Sequence, residues 1–263
     1  MMKLIISIMN FKGGVAKTTT AVNIAYLAAT VKNKRVLVID NDPQGNASSF
    51  FQIDKKIGRT LPQVITDVFK KERDSIMPII PYHTQYKRID ILPSNMNLST
   101  CNMSLSKYQS KISMLYKAIL ASIIQKYDVI IIDNAPNVTP LTVSALLASE
   151  QVIVPVTADK LTIDGLNEII KQIDDARLNG FSKLKLGGIL FTRFNSRARV
   201  DRETMKYVKN GTLTGGIKYK VYDNTIRQTV KVQEATFLKQ PLEIACKKSN
   251  AANDYRNLTN EIF

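Results

Sequence analysis

Six short apolar runs recur along the chain, and none of them alternates with polar residues. Strands that are buried on both faces of a parallel sheet have this uniformly apolar composition, rich in Ile, Val and Leu. The pattern therefore predicts strands at residues 3–9, 35–40, 89–92, 128–133, 151–156 and 185–191.

Longer segments with apolar residues at helical spacing lie between these runs. They predict helices at residues 17–31, 104–126, 138–149, 162–178 and 199–210. This alternation predicts an α/β fold with a mostly parallel, twisted sheet covered by helices on both faces. No long Gly/Ser/Pro linker divides the chain, so we expect a single domain over residues 1–263. A less regular insertion is expected at about 52–100, where prolines interrupt the pattern.

The composition is that of an ordinary globular protein, with 44% hydrophobic and 22% charged residues. No apolar run approaches the ~20 residues needed to cross a bilayer, and the apolar start fits a buried strand better than a signal peptide. Cys101 and Cys246 are far apart and show no disulfide or zinc pattern. These features favour a cytoplasmic protein.

Positive charge is the most unusual bulk property. The chain has 37 Lys and Arg against 22 Asp and Glu, which gives a formal net charge of +15. Such an excess favours partners that are polyanions, such as nucleic acid or an anionic membrane. A lysine-rich solvated surface gives the same composition, so the location of the basic residues matters more than their number.

Polar, turn-forming residues follow four of the predicted strands. Because the carboxyl ends of parallel strands meet at one edge of a sheet, these segments are expected to converge on a ligand site. They are NFKGGVAKTTT at 10–20, DNDPQGN at 40–46, DNAPN at 133–137 and TRFNSRAR at 192–199.

The first segment has the properties of a phosphate-binding loop, although Phe11 and Ala16 stand where the common G-x-x-x-x-G-K-[ST] pattern has glycines. Gly13 and Gly14 permit the backbone angles that aim N–H groups at a phosphate in front of a helix N-terminus. Lys17 would reach the β- and γ-phosphates, and the Thr18 hydroxyl would bind Mg²⁺. Ala16 is compatible with this loop if its φ angle is negative.

The string KGGVAKTTT resembles the deviant Walker A motif, K-G-G-x-x-K-[ST], of the ParA/MinD superfamily of ATPases. The resemblance implies a P-loop NTPase-like fold that uses ATP and Mg²⁺. In that superfamily the extra lysine, here Lys12, crosses a dimer interface to the ATP of the other subunit, so Lys12 joins Lys17 as a catalytic candidate. The implied nucleotide-binding loop comprises Lys12, Gly13, Gly14, Val15, Ala16, Lys17, Thr18 and Thr19.

The later segments fit the same resemblance, which extends from Lys3 to about Pro241. The DNDPQGN segment is similar to the ParA motif D-x-D-P-Q-G-N, which implies that Asp40 activates the attacking water and that Asp42 supports the loop and the metal. Asp133 resembles the Walker B acid, which holds Mg²⁺ through water, although Asn-Ala-Pro follows it where Thr/Cys-Pro-Pro is usual. Thr192 and Arg193 resemble the adenine-side contact.

Among these ATPases the chain is most similar to ParA partition proteins of plasmid and chromosome segregation. This implies a homodimer when ATP is bound, non-specific binding to double-stranded DNA on the nucleoid, and hydrolysis stimulated by a ParB-like centromere-binding protein. DNA binding of this kind needs basic side chains aimed at phosphates. By resemblance, Arg197 and Lys231 fall at DNA-contacting positions, and Arg199 and Arg227 are further candidates. Arg227 also stands where the superfamily usually has a proline. No N-terminal helix-turn-helix is expected, because the first predicted strand begins at about Lys3.

Three alternatives fit less well. A MinD-like positioning ATPase would need an amphipathic C-terminal helix for the membrane, but the tail KKSNAANDYRNLTNEIF has few bulky apolar residues and reads as a capping helix. We therefore expect no stable membrane association. An iron protein of the superfamily would need two cysteines near the nucleotide, and a dethiobiotin synthetase type of ligase is not expected to carry DNDPQGN.

Overall fold

The computed structural model describes residues 3–53, 59–70, 78–105, 109–178, 184–212 and 218–263. A seven-stranded sheet forms its centre. The strands are β1 (Leu4–Ile8), β2 (Val36–Asn41), β3 (Tyr82–His83), β4 (Ile89–Leu92), β5 (Val129–Asn134), β6 (Gln151–Val156) and β7 (Lys185–Phe191). All six predicted strands are present. β3, a two-residue edge strand, was not predicted.

The strand order is β3-β4-β2-β5-β1-β6-β7. Only β3 runs antiparallel to its neighbour, while the other pairs are parallel. The predicted α/β class with a mostly parallel sheet is therefore confirmed. The three central strands, β2, β5 and β1, are the ones that lead into the three predicted nucleotide motifs.

Helices cover both faces of the sheet in the described parts of the chain. They are α1 (Lys17–Thr30), α2 (Asn46–Phe50), α3 (Leu61–Lys70), α4 (Asn97–Leu105), α5 (Gln109–Ala121), α6 (Pro140–Ala148), α7 (Lys160–Leu178), α8 (Arg199–Lys209), α9 (Val230–Phe237), α10 (Leu242–Ala245) and α11 (Asn250–Ile262). The predicted helix at 104–126 is divided among the end of α4, then α5 and a short 3₁₀ turn at Ile124–Lys126, and its residues 106–108 lie outside the described residues. The described part of the expected insertion at 52–100 contains α3, β3, β4 and the first four residues of α4.

Two-sided burial explains why the strands lack polar alternation. On one face, side chains such as Ile6, Val38 and Ile131 pack with α1 and α11. On the other face, side chains such as Leu37 and Ile130 pack with helices α3 to α6. A third cluster joins β6 and β7 to α7 and α8. Because both faces are covered, successive positions along each strand are apolar.

Register fixes where the motifs meet. Asp133 of β5 lies opposite Asp40 of β2 on one side and opposite Ile8 of β1 on the other. Three segments therefore meet at one edge of the sheet: the loop between β1 and α1 (the phosphate-type loop), residues 40–46 at the end of β2 (the acidic loop), and Asp133 of β5. This is where a ligand site is expected in an open parallel sheet.

Candidate functional site

The loop between β1 and α1 is held in shape by its own polar groups. The buried Asn10 side chain donates to the Pro155 carbonyl at 2.7 Å and accepts from the Lys12 backbone N–H at 2.8 Å. The Lys17 ammonium donates to the Lys12 carbonyl at 2.9 Å. These bonds fix the loop before any ligand arrives.

Ala16 adopts a left-handed conformation, with φ +64° and ψ +32°, at the residue that precedes α1. The negative φ under which alanine is readily tolerated at this position is therefore not the one observed. The tight turn from the loop into α1 requires a positive φ here, and in this conformation the alanine Cβ crowds the backbone at a cost of roughly 1–2 kcal/mol. Gly14, at φ +75°, adopts the same region without that cost.

A cleft of about 1090 Å³ opens beside the loop. Its walls include nine of the residues predicted from sequence to bind nucleotide or metal, which are Gly13, Gly14, Ala16, Lys17, Thr18, Thr19, Asp42, Thr192 and Arg193. The volume is of the order found for ligand sites, which is roughly 300–1,000 Å³. The cleft is therefore large enough for a nucleotide.

Asp40 lies beneath the cleft and does not line it. Its carboxylate is fully buried and accepts from the Ser48 N–H at 2.8 Å, the Ser48 hydroxyl at 2.6 Å and the Asp42 N–H at 3.3 Å. Burial raises the pKa of Asp40 to about 6, and the Ser48 hydrogen bonds oppose that rise. The side chain thus anchors the start of α2.

Asp42, two residues later, reaches the cleft wall. One of its oxygens accepts from the Gln44 backbone N–H at 2.9 Å, which fixes the turn after β2. The acidic loop therefore contains one carboxylate that organises the loop and a second one that faces the ligand space.

Asp133 is buried, and neither of its carboxylate oxygens accepts a hydrogen bond. Burial, followed by the charge of Asp40, raises the pKa of Asp133 to about 8. The Thr18 hydroxyl, which lies nearby without completing a hydrogen bond, and the Lys17 ammonium oppose that rise. Two orphaned oxygens on a buried acid are what a site for a cation would contain.

Lys17 is largely buried beside these acids. Desolvation lowers the pKa of its ammonium, while Asp133 and Asp42 raise it. The Thr18 hydroxyl and the carboxylates of Asp42 and Asp133 are hard oxygen donors of the kind that Mg²⁺ prefers, so the residues fit that ion. Within the described residues no three His, Cys, Asp or Glu side chains cluster as a metal cage.

Lys12 lies outside the cleft walls. Its ammonium forms an ion pair with Asp159 at 2.7 Å, and both side chains are about two-fifths exposed, at 37% and 41%. The two lysines of the loop therefore face different surroundings: Lys17 faces the ligand space and Lys12 faces the surface.

Thr192 and Val15 meet in a contact that sequence reasoning did not anticipate. The buried Thr192 hydroxyl donates to the Val15 carbonyl at 3.1 Å and tethers the loop to the end of β7. Arg193, the next residue, is exposed and has φ +52°, which turns the chain along the cleft.

The far wall of the cleft comes from the C-terminal third of the chain. Arg227 lines the cleft, and its guanidinium pairs with the buried Asp254 of α11 through two bonds of 2.7 Å. Tyr255 and several residues of α9 also line this wall, including Val232 and Phe237. Arg227, Val232 and Phe237 lie in the late segment that the resemblance to ParA proteins covers, with Arg227 at the usual proline position. Tyr255 lies beyond that segment and reaches the cleft only through the packing of α11 on α1.

The other basic candidates lie on the surface. Arg197 and Arg199 are exposed at and just before the start of α8, and Lys231 is exposed near the start of α9. The Lys231 ammonium is held by Glu234 at 2.7 Å. Arg227 differs from these three because its side chain lines the cleft and is held by two bonds to a buried carboxylate, that of Asp254.

Comparison with known proteins decides the family. The AAA domain model AAA_31 matches residues 3–186. The sporulation initiation inhibitor protein Soj of Bacillus subtilis is 32% identical over 98% of this chain and 97% of its own length. The chromosome partitioning protein ParA of Myxococcus xanthus is 30% identical over 98% of this chain and 87% of its own length. The chain belongs to the ParA/Soj family of P-loop ATPases.

Solved structures agree with this assignment. A plasmid partition protein of Borrelia burgdorferi bound to AMPPNP is 26% identical, with a TM-score of 0.77 over 99% of this chain and 98% of that one. Cyanothece McdA in complex with ATP shares the fold at 18% identity, with a TM-score of 0.83 over 99% of this chain and 96% of that one. Solved structures thus share the fold of this chain over nearly its whole length.

Strain at Ala16 gives a first prediction for this ParA/Soj family member. Ala16→Gly is expected to raise the free energy of unfolding by about 1 kcal/mol, because glycine removes the Cβ from a left-handed position. Ala21→Gly, in the regular part of α1, is the control and should lower it by a similar amount or more. Urea denaturation measures both. A loss of stability in Ala16→Gly would contradict the left-handed conformation.

The buried acid gives a second prediction, for the protein without metal or nucleotide. The Asp133 carboxyl stays protonated in the native state up to about pH 8, whereas the unfolded chain ionises it near pH 4. The native state therefore binds more protons between these values, and the free energy of unfolding falls as pH rises, by about 2 kcal/mol from pH 6 to pH 8. The neutral variant Asp133→Asn should lose most of this slope in urea titrations at the two pH values. Equal slopes in the two proteins would contradict the burial of an unpartnered acid.

Proposed function

We propose that this protein is an ATP-dependent partition ATPase, which forms an ATP-sandwich dimer, binds DNA without sequence preference and leaves the DNA after hydrolysis. The observation that carries the proposal is that the two lysines of one loop face different surroundings. Lys17 faces the cleft, while Lys12 lies outside it on the surface, held by Asp159. A lysine of the phosphate-type loop that lies on the surface could bind the phosphates of ATP in a neighbouring subunit.

The proposed nucleotide site is the cleft beside the phosphate-type loop. The backbone of residues 13–19 and the Lys17 ammonium bind the phosphates, and Thr18, Asp42 and Asp133 hold Mg²⁺, Asp133 through water. The bound Mg²⁺ neutralises phosphate charge, which is most of what phosphoryl transfer requires. Thr192 keeps the loop in place through the Val15 carbonyl, and Arg193 contacts the base.

Asp40 is proposed to promote attack by water, as the family motif implies. Its pKa of about 6 suits a base near neutral pH, but its oxygens are occupied by Ser48 and Asp42. Asp42 faces the cleft directly. Comparing the hydrolysis rates of Asp40→Asn and Asp42→Asn decides which carboxylate acts on the water.

Arg197, Arg199 and Lys231 are proposed to contact DNA phosphates, together with Arg227. The formal net charge of +15 supports binding to a polyanion. Arg227 is the weakest of the four candidates, because its side chain lines the cleft and its guanidinium is held by two bonds to the buried Asp254. A nucleoid location and stimulation by a ParB-like centromere-binding protein follow from the family and complete the proposal.

The MinD-like alternative, an ATPase that works on a membrane surface, has the same fold. The MinD protein of Pyrococcus horikoshii in complex with Mg-ADP has a TM-score of 0.74 to this chain at 21% identity. Surface binding would require an apolar helix face turned towards lipid. In this chain α11 directs its apolar residues, Ala251, Tyr255 and Leu258, into the core shared with α1. None of the helices in the described ranges has the length and apolarity to span a bilayer.

A third prediction tests the dimer and its dependence on nucleotide. With a non-hydrolysable ATP analogue and Mg²⁺, the protein should double its mass in sedimentation and bind a fluorescent DNA duplex. With ADP it should do neither. Lys12→Ala should still bind a fluorescent ADP analogue within about threefold of wild type yet fail to dimerise, because only the dimer places that lysine on a phosphate.

Two results would count against the sandwich. A monomer in the presence of the ATP analogue would refute the dimer, and a Lys12→Ala protein that dimerises like wild type would refute the role of Lys12. Anionic vesicles in place of DNA test the membrane alternative, which predicts ATP-dependent binding to vesicles and none to DNA.

A fourth prediction concerns the basic surface. Arg197→Glu combined with Lys231→Glu should abolish DNA binding while dimerisation persists, since phosphate contacts dominate non-specific affinity. The control makes the same charge change at the opposite edge of the sheet, with Lys87→Glu and Lys126→Glu, both of which precede strands and are exposed. Binding is measured at two salt concentrations. If the control pair loses as much affinity as the first pair, net charge alone is responsible and the assigned surface is wrong.

A further inference from the structure

Two buried asparagines connect the ends of the three central strands. Asn41 is the last residue of β2 and Asn134 the last residue of β5, and the two lie opposite each other in the register of the sheet. Each is 1% exposed. The Asn41 amide nitrogen donates to the Asn134 side-chain oxygen at 2.8 Å.

Asn134 extends this connection to β1. Its amide nitrogen donates to the Ile8 carbonyl at 3.2 Å and to the Ile132 carbonyl at 3.3 Å. Because carbonyl oxygens only accept, these two bonds fix which end of the Asn134 amide faces Asn41. The Asn41 amide must therefore donate to Asn134, so the orientation of both side chains follows from the network.

The sheet does not need this connection for its own stability. Backbone ladders already join β1 to β5 and β2 to β5 along their whole paired lengths. Two amides buried in the centre of the molecule carry a desolvation cost that an apolar pair would avoid. The arrangement even leaves the Asn41 side-chain oxygen buried without a partner, which costs roughly 1–3 kcal/mol.

The sequence neighbours of the two asparagines indicate a role for this connection in the site. Asn41 stands between Asp40 and Asp42, and Asn134 directly follows Asp133. Ile8, which accepts from Asn134, ends the strand that leads into the Lys12–Lys17 loop. One hydrogen-bonded network thus joins the ends of β1, β2 and β5, the three strands that lead into the phosphate-type loop, the acidic loop and Asp133.

We propose that Asn41 and Asn134 are positioning residues for ATP hydrolysis, which hold the acidic loop after β2, Asp133 of β5 and the phosphate-type loop at a fixed spacing. This proposal rests on the ATPase activity proposed above. Catalytic groups must keep their geometry closely, since a displacement of about 1 Å costs roughly a hundredfold in rate. Nucleotide binding depends on the loop itself, which Asn10 and Thr192 hold independently. The pair therefore acts on the rate of hydrolysis far more than on affinity.

The test is a double-mutant cycle on the full chain, with Asn41→Ala, Asn134→Ala and the double variant. Each single variant is expected to lower kcat by about tenfold or more, while the Kd for a fluorescent ADP analogue changes by less than about threefold. The double variant should be no slower than the slower single variant, because the two side chains act as one unit. Asn134→Thr, a smaller change that replaces the amide donor with a hydroxyl donor but shortens the reach to Asn41, guards against loss of folding and should lower kcat likewise.

Ser7→Ala is the matched control. Ser7 makes another buried side-chain hydrogen bond, to Ser149 at 2.9 Å, but that bond joins β1 to the end of α6 and takes no part in the Asn41–Asn134 connection. Its kcat should stay within about twofold of wild type even where its melting temperature falls. Single asparagine variants that hydrolyse ATP at the wild-type kcat, or reductions that multiply in the double variant, would overturn the proposal. A wild-type protein that hydrolyses no ATP would instead refute the proposed function.

Discussion

Two acidic side chains share the buried space between neighbouring strand ends, and the rest of the site depends on how their charge is balanced. Asp40 and Asp133 are register partners on β2 and β5, and both are almost completely buried. Asp40 is compensated by the Ser48 hydroxyl and two backbone N–H groups. Asp133 has no hydrogen-bond partner, so burial and the neighbouring carboxylate both favour its neutral form. In the resting site a proton thus neutralises Asp133. A magnesium nucleotide would bring a cation that could take the place of that proton.

The two lysines of the loop follow from the same constraint. Lys17 lies among the acids, where its charge offsets part of theirs, and its ammonium is fixed by the Lys12 carbonyl. Lys12 itself pairs with Asp159 at the surface. A half-exposed ion pair of this kind contributes at most about 1 kcal/mol. It can therefore be exchanged for a contact with a phosphate at little energetic cost, which suits the role proposed for Lys12 in a dimer.

Most of the fold could be predicted from the sequence because strands buried on both faces appear as uniformly apolar runs. Runs such as 128–133 are apolar at nearly every position, and the polar residues after them mark the carboxyl edge of the sheet. The two-residue strand β3 left no such record, since it is short and partly exposed. The left-handed φ of Ala16 was also hidden, because the pattern of residue types does not show which residue absorbs the turn into α1.

The far half of the cleft could not be predicted for a different reason. Arg227 meets Asp254, and Tyr255 meets Thr20, only after α11 has packed on α1. The Asn41–Asn134 connection is similar: each asparagine is an unremarkable polar residue in its own segment, and their pairing requires the register of β2 against β5. Local motifs therefore identify the phosphate end of the site, whereas tertiary packing determines the wall opposite it and the spacing beneath it.

The central claim is that Asp133 is held neutral until a metal arrives, and proton release tests it most directly. Calorimetric titration of ADP at pH 7, in two buffers of different ionisation enthalpy, counts the protons released on binding. With Mg²⁺ in excess the wild-type protein should release about one proton more than it does with a chelator, because the metal ionises a carboxyl whose pKa is about 8. Asp133→Asn should lose that difference. Equal proton release by the wild-type protein with and without Mg²⁺ would contradict the account.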